Sequence, residues 1–208
     1  MTERFVKICG LRTPDMVATA VAEGADALGF IFAPGSARTV GATTVRGLVA
    51  TVPATVETVA VFRNQPLAVV LETAQAAGVT TVQLHGDESL EDVRAVQAAG
   101  FRTLRAFAAA AFTALPASER AAWAGERLLL DAVEPGAGQT FDASVLADRT
   151  PEGFWLLAGG LTPGNVGALL AGSGASGADV SSGVESSRGV KDAGLIRDFI
   201  RAARTGDA

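Results

Sequence analysis

Short apolar runs rich in Val, Ile, Leu and Phe recur along the chain, each followed by a turn and then by an alanine-rich amphipathic stretch. That alternation predicts parallel β/α architecture. Strands are expected at Phe5–Cys9, Ala27–Phe32, Thr58–Phe62, Thr81–Leu84, Thr103–Phe107, Arg127–Asp131, Phe154–Ala158 and Ala178–Ser181, which makes eight. Between them, helices are expected at Thr13–Glu23 before Gly24, Gln65–Ala77 before Gly78, Ser89–Ala99 before Gly100 and Thr162–Ala171 before Gly172. Caps and acids stand early and glycine late, as the two helix ends require. In AAAFTALPASERAAWAG, Pro116 interrupts the apolar pattern and is expected to separate a loop from the helix that follows.

Strand starts about twenty-two to thirty residues apart leave room for one strand, one helix and two short loops per unit. The predicted class is α/β, a single (β/α)8 TIM barrel spanning residues 1–208; an open doubly wound sheet is the alternative, because βα units alone do not close a barrel. No linker, low-complexity run or second-domain boundary interrupts the pattern.

Polar residues inside apolar strands carry the information, since burying them costs free energy unless they are paired or used. Period-two alternation turns Ile8 toward the helices and leaves Lys7 in a barrel layer with Cys9 at the C-terminal mouth. By the same count Asp131 follows Leu129 to the mouth, Gln83 goes with His85, and Asp179 with Ser181. Four strands thus converge polar groups on the end where barrel enzymes assemble their sites. Each residue also has a plain structural role open to it. Cys9 could pack as a small hydrophobe, Asp131 could pin the loop after it, and His85 could serve as a hydrogen-bonder. Lys7 and Asp179 could simply neutralise each other.

Composition narrows the function. A net charge of −5 argues against a nucleic-acid or membrane-surface partner, both of which are anionic. An anionic ligand must be held by local features. Two glycine-rich segments supply them: AGGLTPGNV after the seventh strand and SSGVESSRG after the eighth. The loops after these strands commonly hold phosphate on backbone N–H groups and a short helix. Gly159, Gly160, Ser182 and Gly183 are the candidate phosphate-binding residues. The loop Glu134–Asp142, after the sixth strand, is a candidate lid over bound ligand. With one cysteine and one histidine in the chain, neither an intramolecular disulfide nor a Cys/His zinc site is available. No run reaches the roughly twenty apolar residues of a membrane span, and the first is too short for a signal-peptide core. A soluble cytoplasmic protein is expected, without metal.

The motifs KICG (Lys7–Gly10), GADALGFIF, QLHGDE, LLLD, GQTFD, AGGLTPGNV and DVSSGVE followed by GVKD run in order from the first strand to the last helix. This set resembles the phosphoribosylanthranilate isomerase family. The resemblance implies a barrel enzyme of tryptophan biosynthesis that needs no cofactor and acts on a small phosphosugar as a monomer or homodimer. It implies an Amadori rearrangement, with Cys9 as the general base at sugar C2 and Asp131 as the general acid on the ring oxygen. Arg38 would pair with the anthranilate carboxylate, Gln83, His85 and Asp179 would bind substrate, and the two glycine-rich loops would hold phosphate. Ring opening needs a proton donor and enolamine formation a base, so two titratable groups at different strand ends are the minimum. A thiol is a poor base unless its thiolate is stabilised, and Lys7 is the candidate stabiliser. Asp131 must be protonated to act, which burial or a neighbouring acid would favour.

Three related phosphosugar barrels fit less well. An indole-glycerol-phosphate synthase is expected to carry catalytic lysines and an N-terminal extension. A ribulose-phosphate epimerase is expected to carry metal-binding histidines, and the histidine-pathway isomerase a pair of aspartates. A binding subunit that has lost turnover is the alternative from another class.

Overall fold

The computed structural model describes residues 4–131 and 149–205. Eight parallel strands close into a barrel: β1 (Phe5–Cys9), β2 (Ala27–Ile31), β3 (Glu57–Phe62), β4 (Thr81–Leu84), β5 (Arg102–Ala108), β6 (Leu128–Asp131), β7 (Trp155–Ala158) and β8 (Gly177–Val180). The ring closes where β8 returns to β1, with Lys7 opposite Asp179 and Ile8 opposite Val180. An open sheet is thereby excluded.

The helices are α1 (Pro14–Ala22), α2 (Ala42–Val49), α3 (Leu67–Ala77), α4 (Leu90–Ala98), α5 (Ala109–Ala114), α6 (Ala117–Ala122), α7 (Val166–Ser173) and α8 (Ala193–Thr205). Their ends follow local chemistry. Pro14 opens α1, where its missing N–H costs nothing. Ser89 and Asp92 form a reciprocal capping box on α4, and Gly78 terminates α3 in the left-handed conformation.

Strand alternation sorts the core as expected. Ile8, Leu28, Ala60, Val82, Leu128, Leu157 and Ala178 join the cluster between barrel and helices. Cys9, Ala27, Val59 and Val61 form one interior cluster, and Leu104, Ala106, Leu129, Leu156 and Ala158 another. At the opposite end from the site, Phe5 and Phe154 meet edge to face. Arg127 stacks on Phe154 at 4.6 Å while pairing with Glu57, which also holds Arg102. Among the described residues, no helix is long and apolar enough to cross a membrane.

Two expectations need correction. The segment before Pro116 is not a loop but the short helix α5, because three successive alanines and buried Phe112 give it a helix-forming, core-facing turn. Helix α7 starts at Val166 and runs past Gly172 to Ser173, with Gly174 taking the left-handed cap. Thr162–Asn165 precedes it as a turn in which the Asn165 side-chain oxygen accepts from the Thr162 N–H. After β8, a single 3₁₀ turn at Ser182–Val184 leads into a two-stranded antiparallel hairpin, β9 (Glu185–Ser187) and β10 (Val190–Lys191), which was not anticipated. The proposed lid Glu134–Asp142 lies outside the described residues.

Candidate active site

Every predicted site residue lines one cavity of about 190 Å³ at the C-terminal end of the barrel. Cys9 comes from β1, Arg38 from the segment after β2, Gln83 from β4 and His85 just beyond it. Asp131 comes from β6, Asp179 from β8, Gly159 and Gly160 from the loop after β7, and Ser182 and Gly183 from the 3₁₀ turn. A larger cavity of about 500 Å³ beside it shares His85 and Asp131 and reaches Arg105, Phe107 and Trp123.

Cys9 sits only 5% exposed among groups of both signs. Burial pushes its thiol pKa up, the Lys7 and Lys191 ammonium groups pull it down, Asp179 pushes it up again, and the net direction is upward. Lys7, fully buried, places its Nζ 2.8 Å from Asp179 Oδ1. Burial alone would lower the pKa of Lys7, but the charges of Asp179 and Cys9 outweigh it and hold the lysine protonated. The lysine expected to stabilise the thiolate is therefore charged and in its field. Room for the sulfur comes from Gly29 in β2: a Cβ there would lie 2.7 Å from Cys9 Sγ.

Arg38 is held side-on. Its Nε donates to Glu185 Oε1 at 2.6 Å and its Nη2 to Glu185 Oε2 at 2.8 Å. Glu185 also accepts from Lys191 Nζ at 2.9 Å and from the Gly189 N–H at 2.9 Å. Although burial opposes ionisation, these donors bring the Glu185 carboxyl down to about 2. The bidentate bond to Glu185 raises the Arg38 pKa, whereas burial lowers that of Lys191. Lys191 Nζ further donates to the Ser181 carbonyl at 2.8 Å. The hairpin β9–β10 thus ties the segment after β2 to the end of β8.

On the far side, the Gln83 amide contacts His85 Nδ1 at 2.8 Å, and His85 Nε2 stands 3.7 Å from Asp131 Oδ2. The loop carrying His85 is anchored by Arg105, whose guanidinium donates to the carbonyls of Leu84, Gly86, Glu88 and Ala106 and lies 4.2 Å over the Phe107 ring. Across the mouth, Gly159 and Gly160 take positive φ of 88° and 64°. A Cβ on Gly183 would fall 1.8 Å from the Leu161 carbonyl oxygen, so only glycine lets the two glycine-rich loops touch. Ser182 and Gly183 open the 3₁₀ turn, where the first N–H groups of a helix lack intrahelical acceptors.

Gly29, Arg105, Glu185 and Lys191 were not singled out from sequence. Gly29 interrupts an otherwise apolar strand, a legible sign of close approach. Arg105 stands between Leu104 and Ala106 in β5, a charge amid apolar neighbours. Glu185 and Lys191 lie within motifs already noted, but their pairing depends on a hairpin that periodicity does not announce.

The family model described as N-(5'-phosphoribosyl)anthranilate (PRA) isomerase matches residues 6–202. The N-(5'-phosphoribosyl)anthranilate isomerase of Rhodopseudomonas palustris (strain BisB5) is 42% identical over 210 residues, covering 97% of this chain and 96% of its own. The crystal structure of TrpF from Jonesia denitrificans superposes with a TM-score of 0.85 at 44% identity, over 99% of this chain and 98% of that one. A phosphoribosyl anthranilate isomerase crystallised with reduced 1-(o-carboxyphenylamino)-1-deoxyribulose 5-phosphate is 32% identical, with a TM-score of 0.82 over 96% and 98% of the two chains.

Proposed function

Since this chain belongs to the N-(5'-phosphoribosyl)anthranilate isomerase family, we propose that it rearranges N-(5-phosphoribosyl)anthranilate to 1-(2-carboxyphenylamino)-1-deoxyribulose 5-phosphate in tryptophan biosynthesis. The observation that carries the reading is the convergence of a thiol from β1 and a carboxyl from β6 on one cavity whose rim is formed by the two glycine-rich loops.

In this reading Asp131 gives a proton to the furanose ring oxygen, the C1–O bond breaks, and the anthranilate nitrogen takes up the positive charge as an iminium. The Cys9 thiolate then removes the C2 proton, and the electron pair neutralises the iminium to give the enolamine. Return of a proton to C1 and loss of the enol O–H proton yield the ketone, so the reaction closes with no electron carrier. The Lys7 ammonium favours the thiolate that the middle step consumes. Gln83, His85 and Asp179 bind substrate. Arg38 pairs with the anthranilate carboxylate through guanidinium donors left over by Glu185, which engages only Nε and Nη2. The phosphate sits against the amides of Gly159, Gly160, Ser182 and Gly183. A relative crystallised with the reduced product carries these same ligand groups, carboxylate and phosphate, on one molecule.

The test is turnover of freshly made substrate by the purified protein, followed by loss of anthranilate fluorescence. Cys9→Ala and Asp131→Ala are each expected to lower kcat by roughly 10²- to 10⁴-fold while circular dichroism remains native. Near-normal kcat in either variant would overturn its role. A cytoplasmic location and a monomeric or homodimeric state belong to the same reading, and light scattering separates the two oligomeric states.

A further inference from the structure

Gln83 is fully buried, lines the catalytic cavity, and has its Oε1 without a hydrogen-bond partner among the described residues. Leaving a buried carbonyl oxygen unmatched is costly, so an acceptor kept in this state marks a place where something else donates. Its other end is engaged: the amide nitrogen lies 2.8 Å from His85 Nδ1. An amide N–H₂ can only donate, so Nδ1 must accept, and the single ring proton of the neutral imidazole moves to Nε2. That nitrogen faces Asp131 Oδ2 at 3.7 Å, a separation one small shift from a hydrogen bond.

We propose that Gln83 is a positioning residue that fixes His85 in the Nε2–H tautomer, aims that N–H at Asp131, and takes a hydroxyl of the bound sugar on its Oε1. The inference rests on the isomerase reading for Asp131. Once Asp131 has released its proton to the ring oxygen, its carboxylate gains a donor from His85 that is already oriented. The hydroxyl caught by Oε1 ties arrival of the sugar to the same amide, so one side chain links substrate recognition to the acid. Because Gln83 lies in β4, its backbone is locked by pairing on both sides, with Val61 and Leu104, and the relay starts from a rigid base.

His85 is the only histidine in the chain, so its ring nitrogens can be read without assignment. Long-range ¹H–¹⁵N spectra of the free protein at about pH 8, where imidazole is ordinarily neutral, are expected to show an acceptor-type Nδ1 and a protonated Nε2. Gln83→Met keeps the volume and removes both functions. It is expected to mix the two tautomers and to lower kcat roughly ten- to a hundredfold. Gln83→Glu can accept but not donate, and is expected to reverse the tautomer and lower kcat as well. A wild-type ring protonated at Nδ1 would mean that the amide stands the other way round and would overturn the proposal, whatever the variants do. So would a folded Gln83→Met with the tautomer or the kcat of the parent. Failure of the isomerase reading looks different: no turnover by the parent protein, whatever its tautomer.

Discussion

Replacing Lys7 by methionine isolates the electrostatic support of Cys9. Lys7 and Cys9 lie two residues apart on one strand, which sets their Cα atoms about 6.6 Å apart on the same face. Their side chains interact through charge and through a hydrogen bond, and two unit charges about 4 Å apart interact by about 4 kcal/mol at an effective dielectric near 20. Lys7→Met therefore moves the Cys9 thiol further up. The thiolate fraction at neutral pH falls with it. A more basic thiolate is also the stronger base, so part of the loss is regained, and kcat/KM drops about ten- to a hundredfold. The rising limb of the pH–rate profile shifts to higher pH with it.

The substitution also strands Asp179, whose carboxylate is buried and loses its 2.8 Å partner. Breaking such a pair costs about 3–5 kcal/mol of stability. The double variant Lys7→Met/Asp179→Asn removes the stranded charge and is expected to recover most of the thermal stability. Its rising limb should fall between those of the parent and the single variant, because Asp179 itself pushes the thiol up. Stopped-flow fluorescence across pH, with melting curves for each protein, gives both quantities. A folded Lys7→Met whose limb stays where the parent's lies would refute the coupling.

Three further outcomes follow from the same geometry. Gly29→Ala sets a methyl group 2.7 Å from Cys9 Sγ and 3.0 Å from its Cα, so the thiol must move by about 1 Å. A displacement of that size can cost about a hundredfold in kcat, with about 1–3 kcal/mol of overpacking, and unchanged turnover would show that the sulfur's position is not critical. Arg38→Ala should raise KM roughly tenfold or more with kcat changed only a few-fold; an unchanged KM in steady-state assays points to another partner for the carboxylate. Glu185 titrates about 2 when folded, below its ordinary value of 4.5. Its stabilisation is thus fully present above about pH 4.5 and is lost as pH falls toward 2. Melting temperature between about pH 6 and 3 should fall more steeply for the parent than for Glu185→Gln, and parallel curves would sink the assignment.

The barrel and the residues of its mouth were legible because they obey local rules. Alternation in FVKIC sends Ile8 outward and Cys9 inward whatever surrounds them, and the same holds for LLLD and QLHG. Glycine after the seventh and eighth strands is likewise a local signal. What sequence withheld is what long-range contact decides. Glu185 binds Arg38 across 147 residues, a bond with no periodicity to betray it, whereas the Lys7–Asp179 pair, though 172 residues apart, was legible because each is a charged residue on the inward face of an apolar strand. Helix α5 was missed because Pro116 reads as a breaker while the alanines before it read as featureless; buried Phe112 anchors that turn to the core. The end of α7 slipped by two residues because two glycines, Gly172 and Gly174, compete for the cap and only the second turns left-handed.

The buried cations of the site each face a carboxylate. Lys7 answers Asp179, and Glu185 holds both Arg38 and Lys191. Charges this deep stay ionised only when paired, so the arrangement follows from burial itself. It leaves the mouth with little uncompensated positive charge, in a chain whose net charge is −5. A doubly charged phosphate then has no long-range field to follow and must be recognised at contact. Backbone amides suit that task, because a peptide dipole needs no counter-charge and so leaves the Lys7–Asp179 pair and its influence on Cys9 undisturbed. Under the proposed function the two glycine-rich loops would do more than admit an anion: they would separate the electrostatics that binds the phosphate from the electrostatics that sets the thiol.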